Sequence, residues 1–191
     1  MKNNIVYNKG KIIIIVLIIN VEKLSMSKYN FALIPENPQK FIDFSLQLSQ
    51  KEKQMGDYQL HRNAIPHVTL CHFETTENQL ETVWNKLKKP GRSSLFSLTF
   101  PILDSCLHQK KYWYLLIPTE TDLLTELHLD SLITLKVRPN KNYYPHLTLF
   151  NILDLSKKDA KQALQPPLQD HFFFAITDRD DVGQSKNILI K

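Results

Sequence analysis

The sequence predicts an α+β protein of two pseudo-symmetric lobes, each a mainly antiparallel sheet with helices, facing each other across a central cleft. Three observations predict it. Strand-like and helix-like segments alternate without the Gly-rich turns of a nucleotide-binding βαβ fold. A five-residue phrase occurs twice, as Pro66-His67-Val68-Thr69-Leu70 and as Pro145-His146-Leu147-Thr148-Leu149, with a similar order of strands and helices around each copy. The chain has 191 residues, 42% of them hydrophobic, and no long linker divides it, which suits one compact domain.

The elements follow in order. Tyr29 to Pro35 is apolar and ends on a proline, as a strand would. Asn37-Pro38 has the form of a helix start, with Phe41, Phe44, Leu46 and Leu48 along the segment that runs to about Gln54. Residues 56–63 are polar and predict a loop, and residues 65–73 a second strand. Thr76 to Lys89 predicts a helix with Leu80, Val83, Trp84 and Leu87 on one face. Thr76 followed by Gln79 resembles a capping box, and Pro90-Gly91 breaks the helix. Strands are expected over residues 95–103 and 112–117. A helix over 120–135 follows, with Leu123, Leu124, Leu127 and Leu132 inward, then a strand over 143–152. Ser156 to Leu164 reads as a short helix, and residues 172–177 and 187–190 as closing strands around a turn at Gly183.

Residues 1–25 stand apart from this pattern. Ile12 to Val21 is an apolar run preceded by lysines, like the start of a signal peptide, but short for a bilayer span. No A-x-A-like cleavage site follows it. Either the segment exports or anchors the protein, or the chain starts in earnest at Met26. The missing cleavage site and the cysteine usage favour the second, with one folded domain over residues 26–191. Cys71 and Cys106 are scattered and form neither a disulfide framework nor a zinc pattern, as expected of reduced thiols in the cytoplasm. Net charge is +5; residues 1–25 contribute +3 (four lysines against Glu22), leaving +2 for the rest. That residue of charge suits a small phosphorylated substrate better than a long duplex.

The repeated phrase carries the chemistry. On a strand, side chains two apart share a face, so His67 and Thr69 point one way and Val68 and Leu70 the other; His146 and Thr148 behave likewise. Two His–Thr pairs facing one cleft fit phosphodiester cleavage. One neutral imidazole removes a proton from a water or hydroxyl, and the other, protonated, donates to the leaving oxygen. Threonine hydroxyls would hold the non-bridging phosphate oxygens. This scheme calls for no metal and no cofactor. Tyr144 and Phe150 share the parity of His146 and are candidates to stack on a base.

Paired H-x-T motifs on strands of two similar lobes resemble the 2H phosphoesterase superfamily, which includes bacterial 2′-5′ RNA ligase-like proteins and cyclic nucleotide phosphodiesterases. The resemblance covers about Lys28 to Lys191 and rests on His67, Thr69, His146 and Thr148, 79 positions (146 − 67) apart. It implies His67 and His146 as the catalytic pair and Thr69 and Thr148 as phosphate ligands. It also implies metal-free action on 2′,3′-cyclic phosphates or 2′-5′ linkages in an RNA end or nucleotide. A monomer without stable membrane association is expected. The competing class is a nucleotide- or RNA-binding module that keeps the cleft without catalysis.

The remaining candidates carry less. A lone strand histidine is more often structural than functional, whereas two in matched motifs are not. Cys71 reads as a small core thiol rather than a nucleophile. His72 has the wrong parity for the cleft if its strand is regular. His61 and Arg62, and the basic stretches Lys86 to Arg92 and Lys136 to Lys141, read as solvated surface. Asp178 to Asp181 reads as a charged turn without a histidine partner for a metal. His108, His128 and His171 carry no motif.

Overall fold

The computed structural model describes residues 5–8, 11–14, 26–60, 62, 64–88, 95–139, 142–154, 156 and 160–191. Ile5–Asn8 (β1) and Lys11–Ile14 (β2) pair with each other in a two-stranded sheet, separate from the other strands among the described residues. Most of the apolar run over 12–21 lies outside the described residues, as do His61 and parts of both basic stretches. No helix among the described residues is long and apolar enough to cross a membrane.

From Met26 onward the order is Ser27–Pro35 (β3), Pro38–Ser49 (α1), Met55–Gln59 (β4), Val68–Thr75 (β5), Leu80–Leu87 (α2), Leu95–His108 (β6), Lys111–Ile117 (β7), Thr121–Leu135 (α3), Leu147–Ile152 (β8), Ala160–Arg179 (β9) and Ser185–Ile190 (β10). The pairings are antiparallel. The expected α+β class holds, but not the expected separate sheet for each half. The strands join into one eight-stranded sheet in the order β10-β9-β3-β5-β8-β7-β6, with β4 beside β8. Because β6 also pairs with β9, six strands form a closed circuit. Closure removes most free edges, where exposed backbone groups would invite foreign strands.

One face of the sheet carries the main core. Val68, Leu70, Leu147 and Leu149 from the repeated phrases pack there with Phe41, Trp84, Leu124, Leu127 and Leu132 from the helices. Two smaller apolar clusters lie outside it. One joins Ala32, Ile34 and Ala175; the other joins Tyr58, Ala64, Trp113, Leu115 and Ile117. Ala32 is the cross-strand partner of Thr69, and Leu115 that of Thr148. Directly opposed residues share a face, so these clusters floor the side of the sheet that bears the histidines.

Several expected elements are revised. Residues 55–59 form β4 rather than part of a loop, because the edge of β8 gives their backbone a partner. Residues 160–164 are not helical. They extend β9 along β6, and Pro166 and Pro167 lie where that ladder breaks, between Phe100 and Ile102. Prolines lack the N–H a continuous ladder needs, so they are confined to such breaks. The capping box at Thr76 does not form. Thr76 bonds Asn78, Thr75 Oγ1 donates to Gln79 Oε1 at 2.9 Å, and a 3-10 turn over Glu77–Gln79 delays the helix to Leu80. Leu123 is exposed; Leu124, Leu127, His128, Ser131 and Leu132 form the buried face of α3.

Candidate active site

The two motif strands are neighbours, and one antiparallel pair, Val68 opposite Leu147, fixes their register. Continued by one residue each way, that register would set Thr69 against His146 and His67 against Thr148. All four therefore share the face opposite the main core. His67 and His146 are diagonal neighbours, which in a regular ladder lie about 7–8 Å apart.

Each histidine is oriented in the same way. Pro66 and Pro145 hold the preceding residue extended. The carbonyl of that residue then accepts a bond from the ring: His67 Nδ1–H donates to Ile65 O at 2.8 Å, and His146 Nδ1–H to Tyr144 O at 2.6 Å. A carbonyl only accepts, so Nδ1 carries the proton and Nε2 is left free for chemistry. Burial pushes His67 down to about 4; the bond to Ile65 and Asp180 oppose this, while His146 and His72 add to it. Burial likewise lowers His146, against the bond to Tyr144. Both rings are thus neutral at pH 7 when the site is empty. His67 is 5% exposed, whereas His146 is only partly buried.

Immediately after each threonine the strand bulges. On β5, Thr69 opposes Ala32 and Cys71 opposes Phe31, so Leu70 is the extra residue; on β8, Thr148 opposes Leu115 and Phe150 opposes Tyr114, so Leu149 is. A bulge adds one residue and inverts the facing of everything after it. This corrects two expectations. Phe150, expected to stack on a base, is 0% exposed and stacks instead on Tyr114 with centroids 4.5 Å apart. His72, expected on the wrong face, comes onto the histidine side, within electrostatic reach of His67. Its Nδ1 bonds Asn30 Oδ1 at 2.6 Å. Asn30 in turn donates to Gly183 O and Ser185 Oγ, both at 2.9 Å. Gly183, at φ +92°, lies beside the ring: an added Cβ would sit 3.1 Å from His72 Cε1. The residue is exposed, yet desolvation of its ring first, then Arg179 and His128, push His72 downward. Cys71 joins the core, where burial raises its thiol to about 12, as an inert thiol requires.

Tyr144, the other candidate stacking residue, lies beside His146. It is 42% exposed, and its ring centroid lies 6.1 Å from that of His146. Its hydroxyl donates to Asp104 Oδ2 at 2.9 Å; Asp104 is buried, and Lys161 Nζ lies 3.7 Å from the same oxygen. Burial and that bond raise Tyr144 to about 12. Thr148 is buried and Thr69 partly exposed. Arg62 is exposed. Among the described residues, no three His, Cys, Asp or Glu side chains gather as metal ligands would.

The bulges also reveal residues the sequence left unmarked. His128 Nδ1–H, from α3, bonds Leu70 O at 2.5 Å. Ser45 Oγ, from α1, donates to Leu149 O at 3.0 Å. The hydroxyl of Tyr143 donates to Thr69 O at 2.9 Å, and that of Tyr58 to Thr148 O at 3.5 Å. Each helix and each tyrosine precedes one motif in the chain and supports the other.

Comparison with solved structures shows a fold shared with LigT of E. coli. LigT of E. coli complexed with 3′-AMP superposes over 86% of this chain and 96% of its own, with a TM-score of 0.62 and 16% identity. The NADP+ complex of the same protein gives 0.62 and 17%, with the same coverage. A further structure described as a phosphoesterase gives 0.60 and 15%, again over 86% and 96%. No family model and no curated protein matches the sequence.

Proposed function

We propose that this chain is a 2H-type phosphoesterase that hydrolyses RNA-type phosphodiesters, either 2′,3′-cyclic phosphates or 2′-5′ linkages, by paired histidine acid–base catalysis. One observation carries the reading: the Val68–Leu147 register puts both H-x-T motifs toward one face, and neither Nε2 atom has a hydrogen-bond partner among the described residues. The LigT-like fold supports it, and LigT itself has been solved with 3′-AMP, NADP+ and ATP, in keeping with a nucleotide or RNA end as substrate.

The bound phosphodiester lies between the two rings, its non-bridging oxygens toward Thr69 and Thr148. Its negative charge raises the pKa of nearby imidazoles, so the empty site's neutral pair takes up one proton when substrate binds. The neutral ring then accepts a proton from water as the water oxygen attacks phosphorus. The imidazolium gives its proton to the ribose oxygen as the P–O bond breaks. The product is a phosphomonoester from a cyclic substrate, or a separated pair of ends from a 2′-5′ linkage. Each turnover exchanges which ring is protonated, and two imidazoles complete both transfers. Tyr144 offers its exposed ring to a base. The working unit is a cytoplasmic monomer folded from residues 26–191, detached from membranes.

Turnover of a nucleoside 2′,3′-cyclic phosphate and of a 2′-5′-linked dinucleotide, measured in EDTA for wild type, His67→Ala and His146→Ala, tests this. Activity in wild type on at least one substrate, lost in both variants, is expected. Binding without turnover would instead favour a nucleotide-binding module. The pH–rate profile should be bell-shaped; a flat one from about pH 5 to 9 would overturn paired acid–base catalysis.

A further inference from the structure

We propose that Tyr58 and Tyr143 are positioning residues that set the separation of the two histidines through reciprocal ties. This rests on the two-histidine reading above. The ladder between β5 and β8 contributes a single Cα pair, Val68 with Leu147, so it constrains their spacing at one point only. The segments that carry the histidines, residues 64–67 and 143–146, have no regular structure of their own. The Ile65 N–H bonds Ser185 O at 3.0 Å and ties the first segment to β10, but it does not tie that segment to the other motif.

The tyrosines do so crosswise. Tyr143 lies three positions before His146, and its hydroxyl grips the carbonyl of Thr69 in the other motif at 2.9 Å. Tyr58, on the β4 segment that leads to His67, reaches the carbonyl of Thr148 at 3.5 Å. Movement of either histidine segment away from the seam stretches a bond to the opposite motif. Both rings are seated independently of their hydroxyls. Tyr143 stacks on His128 with centroids 3.9 Å apart and planes within 4°, and Tyr58 packs on Trp113 at 5.5 Å. Burial raises both phenols, so both remain protonated donors throughout the working pH range. Phenylalanine in either place keeps the packing and removes only the tie.

The experiment compares Tyr143→Phe, Tyr58→Phe and the double variant with wild type. It reads kcat and KM on whichever of the two substrates wild type turns over, melting temperature, and the ¹⁵N resonances of the histidine rings. Displacement of a reacting group by about 1 Å costs up to about 100-fold in rate. We expect kcat to fall about tenfold for Tyr143→Phe and about threefold for the longer Tyr58 contact, with KM within about twofold, as loosened positioning requires. The Nε2 resonances of both histidines should shift in each single variant, although each tyrosine lies in the approach to only one of them. Unchanged kcat with a lowered melting temperature would overturn the proposal, and so would a shift confined to the nearer histidine. If wild type turns over neither substrate, the phosphodiesterase reading fails while the ring spectra still decide whether the ties hold the pair.

Discussion

The two motifs share their backbone design and differ in what surrounds them. Both have a proline before the histidine, an Nδ1 bond two residues back and a bulge after the threonine. Around His67 the site is closed. The ring is buried, His72 stands beyond the bulge, and the turn around Asp180 and Gly183 packs against that end. Around His146 it is open, with Tyr144 projecting beside it and anchored to Asp104. The position equivalent to His72 is Asn151. Its Oδ1 accepts the Tyr58 N–H at 3.2 Å, and its Nδ2 donates to Asp57 at 3.0 Å. An added Cβ on Gly56 would lie 1.9 Å from that Oδ1, so only glycine fits there. A duplicated backbone thus presents one imidazole in a closed pocket and one at an open mouth. Under the proposed paired-histidine mechanism, proton transfer would be symmetric while substrate selection would not.

The largest effect tests what the motifs share. His67→Ala and His146→Ala should each lower kcat/KM by about 10²–10⁴-fold, the usual worth of a positioned acid or base, in a steady-state assay on a cyclic phosphate. A tenfold gap between them would show that one ring alone does most of the work.

Acid should separate the two sides next. His67 is about 4 in the folded chain against about 6.5 unfolded, so between those values the unfolded state binds more protons. Stability is therefore full above about pH 6.5 and falls as pH drops toward 4; for His67 alone the loss is about 3 kcal/mol. His72 adds to it in the same direction. Urea unfolding at several pH values should show this slope, and His67→Gln should reduce it. A slope untouched by that change would mean the closed pocket is more hydrated than its packing indicates.

The threonines come third. Thr69→Val and Thr148→Val keep shape and remove a hydroxyl, and each should cost about 10²-fold in kcat, the scale of one lost transition-state donor. The smallest effect belongs to the open side alone. Tyr144→Ala should raise KM about tenfold with kcat nearly unchanged, the scale of one lost base stack. The same change should leave a substrate lacking a base unaffected; equal losses on both would remove Tyr144 from base recognition.

Much of this was legible before any coordinates. The repeated phrase marked the strands, and the two-residue strand period placed His67 with Thr69 and His146 with Thr148. The same period failed two residues further on. Nothing in the letters of Leu70 or Leu149 marks a bulge, because a bulge arises from what the neighbouring strand offers. Hence the strand period alone assigns Phe150 to the cleft and His72 away from it, both for one reason. β4 and the start of β9 were missed for a related one: their backbones are strands because β8 and β6 give them partners, and their own sequences hold no clear alternation. Tyr58, Tyr143, Ser45 and His128 carry no motif, since their work is to reach carbonyls far away in the chain. The signal available was their placement ahead of each phrase, on segments that pack against the opposite half.

That crossing has a consequence for how the chain can be divided. α1 packs on β8 and α3 on β5, so each half lends its helix to the strand of the other. A polypeptide cut between its halves would leave each histidine without its props, and neither fragment could assemble a miniature version of the site. The repeat visible in the letters is therefore not a pair of separable modules; each half is the other's scaffold, and a substitution in one bears on the geometry of both.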